Sequence, residues 1–229
     1  MTEIYIDSSE EKELLNYYRD NKITGFTTNP SLMKAAGVKD YKSFVKKITK
    51  KITNKPISFE VFSDNIDEMY EQGKKIADIA NNIVVKIPIT NSKGEPTIKT
   101  INKLKEHNIK VNITAVFTKE QIYNLYLNAN ITNEDIVSIF AGRISDTGVN
   151  PKYIMEYAIE LLINKGKILW ASSRSVYDIY QCRDINCHII TITPSLFKKL
   201  KLEKKDLNEY SLETVKMFYD DAKQSGFEL

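Results

Sequence analysis

Short runs dense in β-branched residues alternate along this chain with longer stretches whose apolar positions recur every three or four residues. The short runs predict strands at 3–7, 24–28, 57–61, 83–87, 110–114, 136–140, 167–171 and 188–192. Between them, amphipathic stretches such as 66–80, 97–107, 119–129 and 151–164 have the length of crossover helices, so the strands are expected to lie parallel. An open doubly wound sheet would normally carry a glycine-rich phosphate turn after its first strand. Asp7-Ser8-Ser9-Glu10 stands there instead, and a closed α/β barrel fits better. The predicted architecture is a single (β/α)8 TIM barrel domain over 1–229, with 203–229 as a C-terminal extension.

Local chemistry marks several boundaries. Ser9 is expected to cap the first helix, Pro151 after Asn150 to open the sixth, and Gly166 to stop it before the seventh strand. Leu212, Val215, Phe218 and Ala222 mark one side of an extra helix near the C-terminus, either a lid or base of the barrel or a contact between subunits.

Charge narrows the function classes. Lys and Arg total 33 against 30 Asp and Glu, with the signs interleaved, so nucleic acid is not an expected partner. The basic run from Lys46 to Lys55 spaces its apolar residues like a helix with one solvated face. No apolar stretch is long enough for a bilayer and no cationic-then-hydrophobic leader is present, which predicts no membrane association and a cytoplasmic location. The pairs Cys182 and Cys187, and His107 and His188, support neither a disulfide scaffold nor a metal site. His188 is expected to be an ordinary packed residue entering a strand. With so few histidines, acid–base chemistry falls to carboxylates, lysine or tyrosine.

The candidate chemistry collects at the C-terminal ends of the strands, where barrel enzymes place their reacting groups. Lys86 sits inside Ile83-Val84-Val85-Lys86-Ile87-Pro88-Ile89, and an ammonium removed from water needs a partner or gives up its proton. A lysine amine is a nucleophile toward carbonyl carbon. The alternative is that its strand ends early and the head reaches solvent at the rim. Asp7 ends the first strand, Thr27-Thr28-Asn29 the second, and Glu60 lies near the end of the third. Asn112 and Thr114 share a face of the fifth; Ser138 and Phe140 share a face of the sixth, with Arg143 following; the seventh delivers Ser172 and Arg174. Singly, each has a plainer reading: Asp7 or Ser172 as a helix cap, Asn29-Pro30-Ser31 as a turn, Arg174 paired with a surface acid. Jointly they form one mouth with an amine, two carboxylates, neutral hydrogen-bonding groups and two arginines suited to a phosphate.

Thr27-Thr28-Asn29-Pro30-Ser31-Leu32, Val85-Lys86-Ile87-Pro88, Asn112-Ile113-Thr114-Ala115 and Phe140-Ala141-Gly142-Arg143 resemble the transaldolase family, in order and over almost the whole chain. The short length is similar to its small members and to the fructose-6-phosphate aldolases. The resemblance implies a Schiff base on Lys86 with a phosphorylated ketose, and no cofactor beyond that lysine. It implies proton transfer by Asp7, and a water handled by Glu60 with Thr114. Thr28, Asn29, Asn112 and Ser138 are then expected around the three-carbon fragment, Phe140 as a wall of the pocket, and Arg143, Ser172 and Arg174 on the distal phosphate. Phosphorylated ketoses and aldoses are the implied substrates, and a homo-oligomer is the implied assembly. Glu60, Ser138 and Phe140 are of the transaldolase type, where the aldolases typically carry glutamine, alanine and tyrosine. The competing accounts are an aldolase releasing free dihydroxyacetone and a non-catalytic sugar-phosphate-binding barrel. Ser145-Asp146-Thr147-Gly148 and Ser172-Ser173-Arg174-Ser175-Val176-Tyr177 differ from the best-known transaldolases, which bears on the acceptor sugar.

Overall fold

The structure is a computed structural model and describes residues 2–228. Along the chain lie β1 (Glu3–Asp7), α1 (Glu11–Tyr18), β2 (Ile23–Thr27), α2 (Pro30–Ala35), α3 (Tyr41–Thr49), β3 (Ile57–Glu60), α4 (Ile66–Ala77), β4 (Ile83–Pro88), α5 (Ile98–Glu106) and β5 (Val111–Val116). They are followed by α6 (Lys119–Asn128), β6 (Ile136–Ile139), α7 (Ala141–Asp146), α8 (Lys152–Leu161), β7 (Lys167–Trp170), α9 (Tyr177–Asp184), β8 (Ile189–Ile192), α10 (Pro194–Lys199) and α11 (Leu207–Ser225). The eight strands pair in sequence order, all parallel, and β1 pairs with β8 to close the barrel.

Strand alternation divides the apolar residues into two clusters. Outward-facing Ile6, Phe26, Phe59, Val85, Ile113, Val137, Ile168, Trp170 and Ile190 join the helices' buried faces in the larger one. Each such side chain contributes about 1.5–3 kcal/mol of burial. Inward-facing Tyr5, Val84, Ile136, Leu169 and Ile189 form a separate plug within the barrel. The Tyr5 ring takes up space that a side chain at its β2 neighbour Gly25 would fill: a Cβ there would lie 2.5 Å from the ring. Two residues further along, the inner positions Asp7, Lys86, Ser138 and Thr191 are polar, with Ala171 the apolar one, and there the site begins.

Capping follows the expected chemistry at several helices. Asn29 accepts from the Leu32 amide with Pro30 as the first residue of α2, and Thr118 with Gln121 makes a capping box on α6. Ser9 does not cap α1: Ser8 accepts from the Glu10 amide and donates to Glu13, while the Ser9 hydroxyl is buried. Gly166 follows the end of α8 without adopting a left-handed conformation; its amide bonds the Leu162 carbonyl. His188 packs at the start of β8, its Nδ1 accepting from the Ile168 amide at 3.1 Å. In β5 the register slips between Ile113 and Val116, and Ala115 takes φ 59°, a bulge beside Thr114. The predicted C-terminal helix is α11, which begins on Asp206 as its cap, ends at left-handed Gly226 and buries none of its residues. Among the described residues, no helix is long and apolar enough to cross a membrane.

Candidate active site

Lys86 stands on β4 between Glu60 on β3 and Asn112 on β5, cross-strand partners on either side. Its head does not reach solvent at the rim. The side chain is 7% exposed, and Nζ donates to the Thr28 carbonyl at 3.0 Å and lies 3.1 Å from Glu60 Oε2. Two acceptors leave the ammonium one N–H, and Lys86 lines the cavity of about 100 Å³ at the mouth. The Glu60 backbone is fixed from behind, where the Tyr41 hydroxyl donates to its carbonyl at 2.7 Å.

Asp7 faces the same cavity across the barrel. Burial lifts its carboxyl above the ordinary value, opposed by the charge of Lys86 and by a hydrogen bond from Thr27. Thr27 Oγ1 donates to Asp7 Oδ1 at 2.7 Å and lies 2.6 Å from Thr191 Oγ1 on β8. On the other side, Asn112 donates to Ser58 Oγ at 3.0 Å and accepts from Ser138 Oγ at 2.7 Å, a fully buried row on β3, β5 and β6. Thr114 also lines the cavity, and its buried hydroxyl has no protein partner among the described residues.

The rim is built from the loops after β6 and β7. Phe140 lines the cavity, packs on Phe117 at 5.6 Å between centroids, and carries the Arg143 guanidinium 5.7 Å from its ring centroid. Gly142 is required by close approach: a Cβ there would sit 1.6 Å from the Ser172 carbonyl oxygen. Ser172 itself has φ 63°, and both Ser172 and Arg143 line the cavity.

Of the residues expected from sequence, Asp7, Asn29, Lys86, Thr114, Ser138, Phe140, Arg143 and Ser172 line this one cavity, with Glu60 and Asn112 in contact with its members. Two are placed differently. The Thr28 hydroxyl turns away to bond the Ser58 carbonyl at 2.8 Å, because β2 presents Gly25 and Thr27 inward; Thr28 serves the site through its carbonyl. Arg174 stands outside the cavity, half exposed and paired with Asp146 at 2.5 Å, so the plainer reading as a surface ion pair describes its position. Sequence reasoning placed Thr27 at the end of its strand without a role and passed over the side chains of Ser58 and Thr191. The signal was available for Ser58, which precedes Glu60 by two and so shares its face. For Thr191 the eighth strand's inward parity was needed. No group of three or more potential metal-ligating side chains occurs among the described residues.

The fold and the mouth together define a (β/α)8 barrel with a buried amine paired with one carboxylate and facing a cavity that a second one lines. The family described as Transaldolase/Fructose-6-phosphate aldolase matches residues 4–229, and the chain belongs to that family. It is 34% identical over 222 residues to a "Probable transaldolase" of Bdellovibrio bacteriovorus, covering 95% of both chains. It is 31% identical over 228 residues to a "Probable transaldolase" of a Thermoanaerobacter species, covering 98% of this chain and 99% of that one. Among solved structures, KGPDC from Streptococcus mutans superposes with TM-score 0.59 at 11% identity, covering 85% of this chain and 89% of that one, a likeness of fold alone.

Proposed function

We propose that this protein is a transaldolase that moves a dihydroxyacetone unit between phosphorylated sugars, from sedoheptulose 7-phosphate to glyceraldehyde 3-phosphate and from fructose 6-phosphate to erythrose 4-phosphate in the two directions. The observation that carries the reading is the Lys86 ammonium, held by Glu60 and the Thr28 carbonyl and facing a cavity whose opposite wall is Asp7. In this reading the Lys86 amine adds to the ketose carbonyl, and loss of water gives an imine. Glu60 and Thr114 handle the proton and the water of that step. Asp7 takes the proton of the C4 hydroxyl as the C3–C4 bond breaks; the electron pair passes into an enamine on Lys86, and the aldose leaves. The enamine then attacks the acceptor aldehyde, Asp7 returns the proton to the new hydroxyl, and water hydrolyses the resulting imine to free the ketose and the Lys86 amine.

Asn29, Ser138 and Asn112 hold the hydroxyls of the three-carbon unit, and Arg143 with Ser172 takes the phosphate. Arg174 joins them if the Asp146 pair opens. Phe140, having no hydroxyl, shields the enamine from water, which supports transfer over release. Lys86 supplies the covalent chemistry without a further cofactor. The chain acts as one barrel domain, with 203–229 an extension whose exposed Leu212, Val215 and Phe218 meet a second copy in a homo-oligomer. Two free, buried cysteines suit the reducing cytoplasm.

The deciding experiment combines borohydride trapping with product analysis. With fructose 6-phosphate, trapping is expected to label the Lys86 peptide, and full labelling of Lys86→Arg would overturn that assignment. With erythrose 4-phosphate present, sedoheptulose 7-phosphate is expected in place of free dihydroxyacetone. Free dihydroxyacetone as the main product in both conditions assigns the aldolase reaction instead, and binding with no imine assigns a sugar-phosphate-binding role.

A further inference from the structure

Thr191 has no part in the reaction outlined above, yet it is joined to one of its groups. Its hydroxyl, on the eighth strand and nearly buried, lies 2.6 Å from Thr27 Oγ1, which in turn lies 2.7 Å from Asp7 Oδ1. Its backbone is held by Ser173, whose hydroxyl donates to the Thr191 carbonyl at 3.0 Å. Thr191 also lines the cavity beside Lys86.

A threonine hydroxyl has one proton, and this fixes the order of the chain. While Asp7 is ionised, the Thr27 proton points at the carboxylate, so the proton between the two threonines belongs to Thr191. Once Asp7 carries a proton on Oδ1, its O–H donates to Thr27, Thr27 turns to Thr191, and the Thr191 proton is free to point into the cavity. We propose that Thr191 is a positioning residue: it sets the direction of a two-hydroxyl chain ending on Asp7, and couples protonation of Asp7 to a hydrogen bond offered to the bound sugar. The inference rests on the transaldolase reading for its use. In that reading the proton Asp7 gains comes from the sugar's C4 hydroxyl, and the Thr191 O–H becomes available as the new carbonyl forms.

The groups around the Asp7 carboxyl are Thr27 from β2, Thr191 from β8, Tyr5 one inward position below it, and Lys86 from β4 and Arg143 at the rim, which line the same cavity; Glu60 on β3 is paired with Lys86. Lys86 favours the ionised carboxyl, burial opposes it, and the hydroxyl chain adds to the side of Lys86. Removing the Thr191 donor therefore weakens the ionised form.

The test follows the Asp7 carboxyl by carbon NMR in the full chain labelled at aspartate, with the resonance assigned by its loss in Asp7→Asn. In Thr191→Val the titration midpoint is expected to rise by about one pH unit, and in Thr191→Ser to stay at the wild-type position. Thr191→Ala replaces valine if the latter disturbs folding. In turnover of sugar phosphate, the acid limb of kcat/KM should move upward with it, kcat falling about tenfold and KM changing less than about twofold. An unmoved midpoint in Thr191→Val overturns the proposal, as does an equal shift in valine and serine variants, which would mark a packing role. If the wild type forms no imine while the midpoint still moves as stated, the hydroxyl chain stands and the transaldolase reading falls.

Discussion

Two lysines in this molecule are buried against carboxylates, and they sit at opposite ends of the barrel. Lys105, on α5, reaches Asp135 just before β6, with Nζ 2.7 Å from Oδ2; their side chains are 10% and 0% exposed. Asp135 also accepts from the amides of Val111 and Thr132 and from the Thr132 hydroxyl, and its carbonyl takes the Lys167 amide. That carboxylate is saturated and ties α5 to the start of β5; a cavity borders its neighbours Glu134, Ile136 and Lys167, but Asp135 itself is not part of the wall. Lys86 also has two acceptors, Glu60 and the Thr28 carbonyl, but it lines a cavity whose other walls include Asp7 and Thr114. The difference teaches that burial and pairing do not by themselves make a site. Unspent hydrogen-bonding capacity beside a cavity does. The division agrees with barrel architecture in general, where the N-terminal face serves stability and the C-terminal face carries chemistry.

Replacing each lysine system should separate these roles. Lys86→Met is expected to lower sugar-phosphate turnover by more than about a thousandfold while the chain stays folded, since the nucleophile is lost and Glu60 keeps access to solvent. Steady-state rates and a thermal melt check both halves. Asp135→Ala should do the opposite, costing about 3–5 kcal/mol in urea unfolding because it strands the Lys105 charge and two amides, with the rate per folded molecule unchanged. A lost rate in a fully folded Asp135 variant would remove the distinction between the two ends.

The smallest effect concerns Asp7. Its carboxyl titrates above the ordinary 3.8 through burial, so the folded state binds the proton more tightly than the unfolded chain. Stability from this group is present below 3.8 and is lost as pH rises through the raised value. In Asp7→Asn that loss is absent. Melting temperatures of the two proteins against pH should therefore separate above this window, with the asparagine variant higher, and the separation should narrow as pH falls through it.

The order of eight strands was legible because each has a β-branched run and a punctuated flank. The lysine inside Val85-Lys86-Ile87 was legible because a charge in an apolar strand breaks its own pattern. Lys105 gave no such sign: it lies in an amphipathic helix where lysines usually face water, and nothing local shows that Asp135 waits thirty positions on. Thr28 was the wrong member of a Thr-Thr pair for a side-chain role, since choosing between adjacent residues requires the inward parity of β2. Arg174 was expected beside Arg143 and Ser172, but after left-handed Ser172 it lies outside their cavity and pairs with Asp146.

The sequence by itself determined the alternation of strand and helix, the parallel sheet that follows from it, and the set of polar residues at strand ends, because these depend on periodicity and on residues near one another in the chain. Only the tertiary structure decided which of those residues share a cavity, which of the two buried lysines lines one, and that Thr191 lies in line with Thr27 and Asp7. Closure of the barrel brings β8 beside β1, setting residues at opposite ends of the chain side by side. Direction and spacing across that seam are properties of the fold, fixed by strand register and not by any local run of residues.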